Sequence, residues 1–417
     1  GNVKFQTTNK SFDQKIIDEI ISPLKNSSYN IKKIDSAIKE LKQYAGNLGF
    51  AFLEVRPKLD RDTTNKKIDI TFSIGEAKKV YVRRIDIKGN SRTEDKVIRR
   101  EFRFSEGDFF NNEKLARSRQ RVHNLGFFEN VDIEKVNVGE KNRVDLDVQV
   151  KEKQTGQFNV GGGFSSTNGA MANVGISEKN FLGKGQDLRA NITIAERQDQ
   201  FDISFTEPYL RNRDITAGFD IFKTKTTFAD ESSYDTDDLG AALRIGYMIT
   251  EKSRHSWSYS LKNEDVEGVK STASDFITNQ KGSYKTSSVS HSLSYFGQND
   301  AINPTSGTKW VIDNTLAGIG GNVSFFNSAV KFAKYYSITD DYIWGMKLRG
   351  GYIFGFNDDD VNLKDRYFLG GDSFPGFEPA GVGPRDTTST NQDSLGGNLM
   401  YTAEVDLRVP IPGIAPQ

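Results

Sequence analysis

The first feature of this sequence is what it lacks. It has no cysteine, which excludes disulfides, thiolate metal sites and cysteine nucleophiles. Lysine and arginine together number 56, as do aspartate and glutamate, so the formal net charge is zero. Proteins that bind nucleic acids usually present a basic surface, so this balance argues against a nucleic-acid partner.

Long hydrophobic runs are also missing. The 417 residues contain no apolar run of the about 18 residues expected for a membrane-spanning helix. The mean hydropathy of −0.58 is compatible with a transmembrane β-barrel, because barrel strands alternate apolar and polar residues. Glycine (38), phenylalanine (29) and tyrosine (15) are plentiful, whereas proline (10) is scarce. This mixture favours a large antiparallel sheet with aromatic girdles.

The first part of the chain contains an internal repeat of roughly 75 residues. Asn47-Leu48-Gly49-Phe50 recurs as Asn124-Leu125-Gly126-Phe127, and each glycine fits a left-handed cap at the end of a helix. A helical stretch precedes each copy and two strand candidates follow it. In the first copy the helix is 34–44 and the strands are 51–59 and 67–74. In the second copy the helix is 113–122 and the strands are 128–136 and 143–150. Each module is therefore predicted to be β-α-α-β-β. The opening strand of the first module is predicted to be weak or missing, which indicates truncation.

Composition changes near Gln154, where glycine and aromatic residues increase and period-2 alternation begins. In the segment from Tyr342 to Phe356, apolar and aromatic residues fall on one face, and Lys347 and Arg349 fall on the other. We count about twelve such strands between Thr155 and Ile411. A soluble β-sandwich also alternates, but the long strands and the aromatic ends of their apolar face favour a membrane barrel.

No enzyme motif is present. The three histidines, His123, His255 and His291, belong to no metalloprotease or hydrolase signature. Gly161-Gly162-Gly163 and Gly183-Lys184-Gly185 lack the form of a phosphate-binding loop. The sequence therefore indicates no catalytic residues, no metal and no cofactor.

Several motifs resemble those of a known family. Residues 80–153 are similar to a polypeptide-transport-associated (POTRA) module, and residues 1–77 resemble the module that precedes it. The stretches 180–186 and 205–209 resemble early barrel strands of the BamA family of outer-membrane assembly proteins, and 303–307 resembles a later turn. Phe374-Pro375-Gly376-Phe377 aligns with the signature of the long sixth extracellular loop.

The resemblance implies a fold and a domain organisation. The fold class is α+β POTRA modules followed by an all-β antiparallel transmembrane barrel, with about twelve of sixteen strands present. The predicted domains are 1–77, 78–153 and 154–417, the last without its C-terminal strands. No signal peptide opens the chain at Gly1, so we expect the chain to be truncated at both ends.

The resemblance also implies a function: folding and inserting β-barrel proteins into the outer membrane by strand templating at a lateral gate. The first barrel strand, with Gly156, Gly161, Gly162 and Gly163, would form one side of this gate, since glycine weakens a strand. POTRA edge strands, with Phe52, Val55, Phe128 and Val131, would hold clients or partners. The implied partners are unfolded outer-membrane proteins, accessory lipoproteins, periplasmic chaperones and outer-membrane lipid.

One position departs from the family pattern. Pro375 stands where the family has an arginine that pins the loop inside the barrel, and proline offers no donor. Arg385 is not expected to substitute for it.

Three other functions are weighed against assembly. A passive channel needs no POTRA modules, so residues 1–150 argue against it. A transporter of two-partner secretion usually has an N-terminal plug helix. An autotransporter-assembly relative of the TamA type is nearer, but the extended loop at 381–386 favours the BamA type.

Overall fold

The structure is a computed structural model. It describes the whole chain except residues 8, 10, 26, 51–52, 75–77, 140–141, 166, 340–341, 358–359, 389 and 410–417. The chain divides into two compact units. Unit 1 consists of Gly1–Thr155 with Leu182–Gly185, and unit 2 of Gly156–Phe181 with the residues from Gln186 onward. Among the described residues, no helix is long and apolar enough to cross a membrane.

The first half of unit 1 is a small α+β module. Its elements are β1 (Val3–Gln6), α1 (Gln14–Ile21), α2 (Ile31–Asn47), β2 (Val55–Asp62) and β3 (Lys67–Ile74). The sheet order is β1-β3-β2, and both helices pack one apolar face on it, with Ile17, Leu41 and Phe72 fully buried. Of the two predicted possibilities, a weak or a missing opening strand, the structure has a short one. A strand of four residues is present and pairs in parallel with β3.

The second half of unit 1 repeats this arrangement. Its elements are β4 (Tyr81–Lys88), α3 (Asp95–Arg99), α4 (Asn112–Asn124), β5 (Phe128–Asn137) and β6 (Arg143–Glu152), with sheet order β4-β6-β5. Gly49 and Gly126 follow α2 and α4 with φ of +97° and +75°. The repeated tetrapeptide is thus a left-handed helix end in both modules, because only glycine adopts this conformation without a steric penalty.

The two modules meet where α2 ends and α4 begins. Asn111 Nδ2 donates to the Asn47 carbonyl at 2.9 Å, and the Glu113 N–H donates to Asn47 Oδ1 at 3.0 Å. A Cβ added at Gly46 would lie 1.8 Å from Asn112 Nδ2. Gly46 therefore sits inside a helix, at some cost in helix propensity, where a larger residue would displace the Asn112 side chain of the neighbouring module.

Unit 2 is built on one antiparallel sheet of twelve strands, numbered β7 to β18 in chain order and adjacent in the same order. Their bounds are β7 Gly156–Ser165, β8 Gly169–Phe181, β9 Gln186–Ala195, β10 Gln198–Glu207, β11 Ile215–Thr227, β12 Asp235–Met248, β13 Ser253–Glu267, β14 Gly282–Phe296, β15 Gly307–Gly321, β16 Phe325–Ser337, β17 Ile343–Gly355 and β18 Leu399–Arg408. A short helix, α5 (Asp275–Thr278), lies between β13 and β14. The described residues thus confirm the predicted count of about twelve strands.

The two faces of this sheet differ in chemistry. Leu239, Leu243 and Ile245 of β12 are exposed on one face, whereas Arg244 points to the other. There it donates to Asp220 Oδ1 and to Ser204 Oγ, both at 2.9 Å, and so links three adjacent strands. An exposed apolar face opposite a hydrogen-bonded polar face is the pattern of a sheet that contacts lipid on one side.

Candidate functional site

The strand β7 forms one edge of the twelve-stranded sheet. It pairs with β8 over ten residues, from Gly156 opposite Glu178 to Ser165 opposite Gly169. Its other side pairs with no strand in the described part of the chain. Phe158, Val160 and Phe164 are 68%, 70% and 79% exposed. Within the described residues, the predicted gate strand therefore has one strand partner, β8, and an uncovered apolar face.

Three of the four glycines of β7 are not required by their surroundings, whereas a Cβ added at Gly156 would lie 3.1 Å from Glu178 Oε2. A Cβ added at Gly161 or Gly163 would meet nothing within 4 Å, and one at Gly162 would meet only the Met171 carbonyl, at 3.4 Å. None of the three has a positive φ. Neither the available space nor the backbone conformation requires glycine at these positions. Glycine inside a strand weakens the strand and makes it easier to deform.

The segment between β17 and β18, residues 356–398, contacts several distant strands. Tyr367 Oη donates to Asn327 Oδ1 of β16 at 2.5 Å. Asp372, which follows Tyr367 by five residues, accepts a hydrogen bond of 3.4 Å from Ser165 Oγ at the end of β7. In a flat sheet β7 and β16 would be about 43 Å apart, whereas five residues span at most about 18 Å. The sheet therefore curves around this loop, which lies on its concave, polar side.

A buried ion pair anchors the loop. Lys364 Nζ lies 2.8 Å from Glu264 Oε2 of β13, and the two side chains are only 7% and 5% exposed. Glu264 also accepts from Thr286, and Lys364 also contacts Asp365 at 3.2 Å. Burial alone would lower the pKa of Lys364, but the carboxylates of Asp365 and Glu264 outweigh burial and raise it. Lys364 therefore stays charged at neutral pH.

A second anchor lies at the far end of the loop. Asp393 is buried, and its carboxylate accepts from Ser233 Oγ at 2.6 Å and from the Ser274 N–H at 2.8 Å. Ser233 follows β11 and Ser274 caps α5, so one carboxylate ties three connecting segments together. The Arg366 guanidinium lies 4.5 Å from the centre of the Phe276 ring of α5.

The predicted signature lies between these anchors, and it is not itself an anchor. Phe374 and Phe377 stack on each other, with ring centroids 5.2 Å apart, and Phe377 is 52% exposed. Gly376 has a φ of +92°. Proline followed by a left-handed glycine is the sequence of a type II turn, which gives Pro375 a local structural role. Arg385 braces the loop itself by donating to the Gln392 and Ala380 carbonyls.

Sequence reasoning missed both anchors. Lys364 and Asp393 stand among other polar residues of a loop, and no spacing distinguishes them from solvated ones. Their burial results from the packing of Tyr234, Val266, Ile277 and Leu363 into one apolar cluster, which brings together segments far apart in the chain.

The predicted POTRA edge residues turn inward. The strands β2 and β5 are edges of their sheets, but the side chains of Val55, Phe128 and Val131 are 6%, 1% and 6% exposed. These residues belong to the module cores, and only their backbone could face a ligand. Phe52 lies outside the described residues.

The histidines lie apart from these sites. His123 is in the last turn of α4, and His255 and His291 pack against Trp257 with ring centroids 5.6 Å and 4.7 Å apart. No group of three or more histidine, aspartate or glutamate residues in the described part of the chain is arranged to hold a metal ion.

Comparison with known proteins shows which family this chain belongs to. The family model described as the Omp85 superfamily domain matches residues 180–417, more than half of the chain. The chain belongs to the Omp85 superfamily. The POTRA model, described as a surface antigen variable number repeat, matches residues 1–77 and 80–153 of this Omp85 protein.

Two similar proteins and one solved structure are related to this chain over most of its length. The outer membrane protein assembly factor BamA of Neorickettsia risticii is 31% identical over 92% of this chain and 51% of its own length. That of Nitratidesulfovibrio vulgaris is 30% identical over 90% of this chain and 47% of its own. The crystal structure of BamA from Haemophilus ducreyi lacking POTRA domains 1–3 superimposes with a TM-score of 0.81 at 23% identity, covering 99% of this chain and 82% of that one. The Omp85 chain thus spans about half the length of the curated relatives it matches.

The sheet and the POTRA modules of this Omp85 protein lie in different compartments. The twelve-stranded sheet, with its exposed apolar face, belongs to the outer membrane, and the POTRA modules lie in the periplasm. The twelve-stranded sheet superimposes on a BamA barrel, and the expected fold class is confirmed.

Proposed function

We propose that the complete protein folds β-barrel proteins and inserts them into the outer membrane by templating their strands on β7. The observation that supports this is the run of glycines at 161–163 in β7, which neither space nor backbone conformation requires. A strand entering lipid cannot leave its backbone unpaired, and an edge strand supplies hydrogen bonds by β-augmentation. A weak edge strand exchanges partners more easily than a strongly paired one.

The partners follow from the same reasoning. The substrates are unfolded outer-membrane proteins. The edges of β2 and β5 offer sites for clients, accessory lipoproteins or periplasmic chaperones. No nucleotide is invoked, because the free energy comes from the client itself as its apolar face enters lipid and its backbone bonds form.

The function is tested with the complete reading frame reconstituted in liposomes. A urea-unfolded outer-membrane barrel protein is added, and its folding is followed by gel mobility. We expect faster folding than in empty liposomes, and slower folding when a disulfide joins a cysteine at Asn159 of β7 to one in the last barrel strand. The absence of native cysteine makes this lock specific. Ion conductance without accelerated folding would instead support a channel or a secretion transporter.

The glycines of β7 give a second variant for the same assay. Replacing Gly161 and Gly163 with valine should leave the fold intact, because both positions are open, but should stiffen the strand and slow client folding severalfold. Gly350→Val is the matched control, since Gly350 is similarly open in the interior strand β17. An equal loss of rate in both variants would mean that the edge position has no special importance.

The departure at Pro375 gives a third prediction. If the loop arginine of the family is missed here, Pro375→Arg in the complete protein should raise the rate of client folding in the liposome assay. The turn tolerates arginine at this exposed position, so a folding defect is not expected. Equal activity in both forms would contradict the idea that the loop arginine is missed here.

A further inference from the structure

Two basic side chains face each other on the concave side of the twelve-stranded sheet. Lys331 of β16 lies directly opposite Arg349 of β17 in the strand register. Lys331 is four residues from Asn327, which accepts from the loop residue Tyr367, so Lys331 points to the same concave side. Lys331 and Arg349 are exposed, and neither lies within 4 Å of a carboxylate of any described residue. Like charges directly opposite each other destabilise a sheet, so this pair weakens the fold until an anion neutralises it.

A third cation lies beside this pair. Lys331 is also opposite Val311 of β15, and Lys309 is the neighbouring residue of β15 on the same face. The Lys309 Nζ lies 5.4 Å from the centre of the Phe296 ring, and Lys309 has no ion-pair partner in the part of the chain that the structure describes. Diagonal neighbours on adjacent strands are within about 8 Å of each other, so long side chains at these positions can reach one ligand. Lys309, Lys331 and Arg349 are called the basic cluster below.

The basic cluster lines a cavity of about 570 Å³. Of the described residues that line this cavity, five are basic and none is acidic, and the other two basic residues are Lys347 and Arg408. Glu404 and Asp406 of β18 lie near Lys347, with carboxylate oxygens 2.5 Å and 3.8 Å from its Nζ. These two carboxylates therefore neutralise Lys347 and leave the basic cluster without a counter-charge. A cavity lined by one sign of charge concentrates the electrostatic potential and attracts ligands of the opposite sign.

We propose that the basic cluster binds a phosphate group, either of free phosphate or of a lipid headgroup. A phosphate monoester carries a charge of about −1.5 to −2 at neutral pH and offers three acceptor oxygens. The Arg349 guanidinium can donate two parallel hydrogen bonds to two of these oxygens, and the ammonium groups of Lys309 and Lys331 add point charges. One carboxylate would leave most of the charge of the cluster unneutralised, which favours a phosphate over a single acidic side chain.

The test measures the binding of inorganic pyrophosphate to the complete protein in detergent micelles by isothermal titration calorimetry. We expect Lys331→Gln and Arg349→Gln each to weaken binding about tenfold, since each removes a hydrogen bond between charged groups. Lys331→Arg keeps the charge and should bind pyrophosphate as tightly as the unaltered protein. Unchanged affinity in both glutamine variants would overturn the proposal.

The matched control is Lys334→Gln. Lys334 is on the same strand and is also exposed, but it is three residues from Lys331 and therefore points to the opposite face of the sheet. This variant should bind pyrophosphate as tightly as the unaltered protein. An equal loss of affinity in Lys331→Gln and Lys334→Gln would mean that pyrophosphate responds to total charge, which contradicts a defined site.

Thermal unfolding separates ligand binding from a structural role of Lys331. Without pyrophosphate, Lys331→Gln should unfold at the same temperature as the unaltered protein or slightly higher, because it removes the repulsion from Arg349. With pyrophosphate, the unaltered protein should gain several degrees and the variant should gain less, because only bound ligand stabilises the folded state. A lower unfolding temperature of Lys331→Gln under both conditions would assign Lys331 a structural role and overturn the proposal.

Two further probes identify the source of the phosphate. Tighter binding of dihexanoylphosphatidic acid than of pyrophosphate, with the same sensitivity to Arg349→Gln, would support a lipid headgroup. Tighter binding of pyrophosphate would support free phosphate. A hexaglutamate peptide should bind more weakly than both phosphate probes, and tighter binding of this peptide would overturn the proposal in favour of an acidic polypeptide.

Discussion

Replacing Lys364 with methionine is expected to destabilise the docked loop by about 3 kcal/mol, because it leaves the buried Glu264 carboxylate without its main partner. The expected loss is at the lower end for a broken buried ion pair, since Lys262 still contacts Glu264 at 3.2 Å. The measurement is trypsin cleavage after Arg366 and Arg385 in lipid or detergent, which requires the loop to leave its site. We expect cleavage more than tenfold faster than in the unaltered protein.

Two further variants identify the cause. Lys364→Met combined with Glu264→Gln removes one of the two carboxylates left without Lys364, so part of the loss should be recovered, while Asp365 still lacks its partner. Lys225→Met removes an exposed ion pair, since Lys225 lies 3.0 Å from Glu267 and both side chains are about half exposed. It should change stability by less than about 1 kcal/mol. Equal cleavage rates in Lys364→Met and Lys225→Met would show that the buried pair does not hold the loop.

The second large effect is expected for Asp393→Ala, which should cost about 2–4 kcal/mol. The variant leaves two buried donors, Ser233 Oγ and the Ser274 N–H, without their acceptor, and unpaired buried polar groups are costly. Since Ser274 caps α5, the segment between β13 and β14 should loosen along with the loop. The measurement is hydrogen exchange of residues 268–281, 386–388 and 390–396, all of which should lose protection.

The matched control for this variant is on the same loop. Asp372 is exposed, and its contact with Ser165 is 3.4 Å long, so Asp372→Ala should change stability by less than about 0.5 kcal/mol. Asp393→Asn keeps one acceptor oxygen and should give an intermediate loss. If protection is unchanged in Asp393→Ala, the apolar cluster around Tyr234 and Leu363 alone positions the loop.

Local patterns were sufficient for most of the fold. The glycines of the repeated tetrapeptide predicted the ends of α2 and α4, because the left-handed conformation depends on the residue itself. The strand Lys67–Ile74 has the predicted bounds, and β5 and β6 extend one or two residues beyond theirs. Alternation also assigned the faces of the barrel strands, because the side-chain period of a strand is two.

Features that depend on contacts between distant residues were not predicted from the pattern. The four-residue strand β1 was expected to be weak or missing. Its pairing partner β3 lies about 67 residues away, so the pairing leaves no local signal in the sequence. The inward orientation of Val55 and Phe128 was not recognised either, although alternation allows it, because which face of an edge strand is covered depends on the helices that pack there.

The sequence by itself determined the repeat, the two modules, the twelve strands and which face of each strand is apolar, because these depend on residues close together in the chain. Only the tertiary structure decided which loop residues hold the loop in place. Lys364 and Asp393 resemble any solvated loop residues in sequence. They become anchors because the curved sheet buries them beside Glu264, Ser233 and Ser274, where a charge must find a partner.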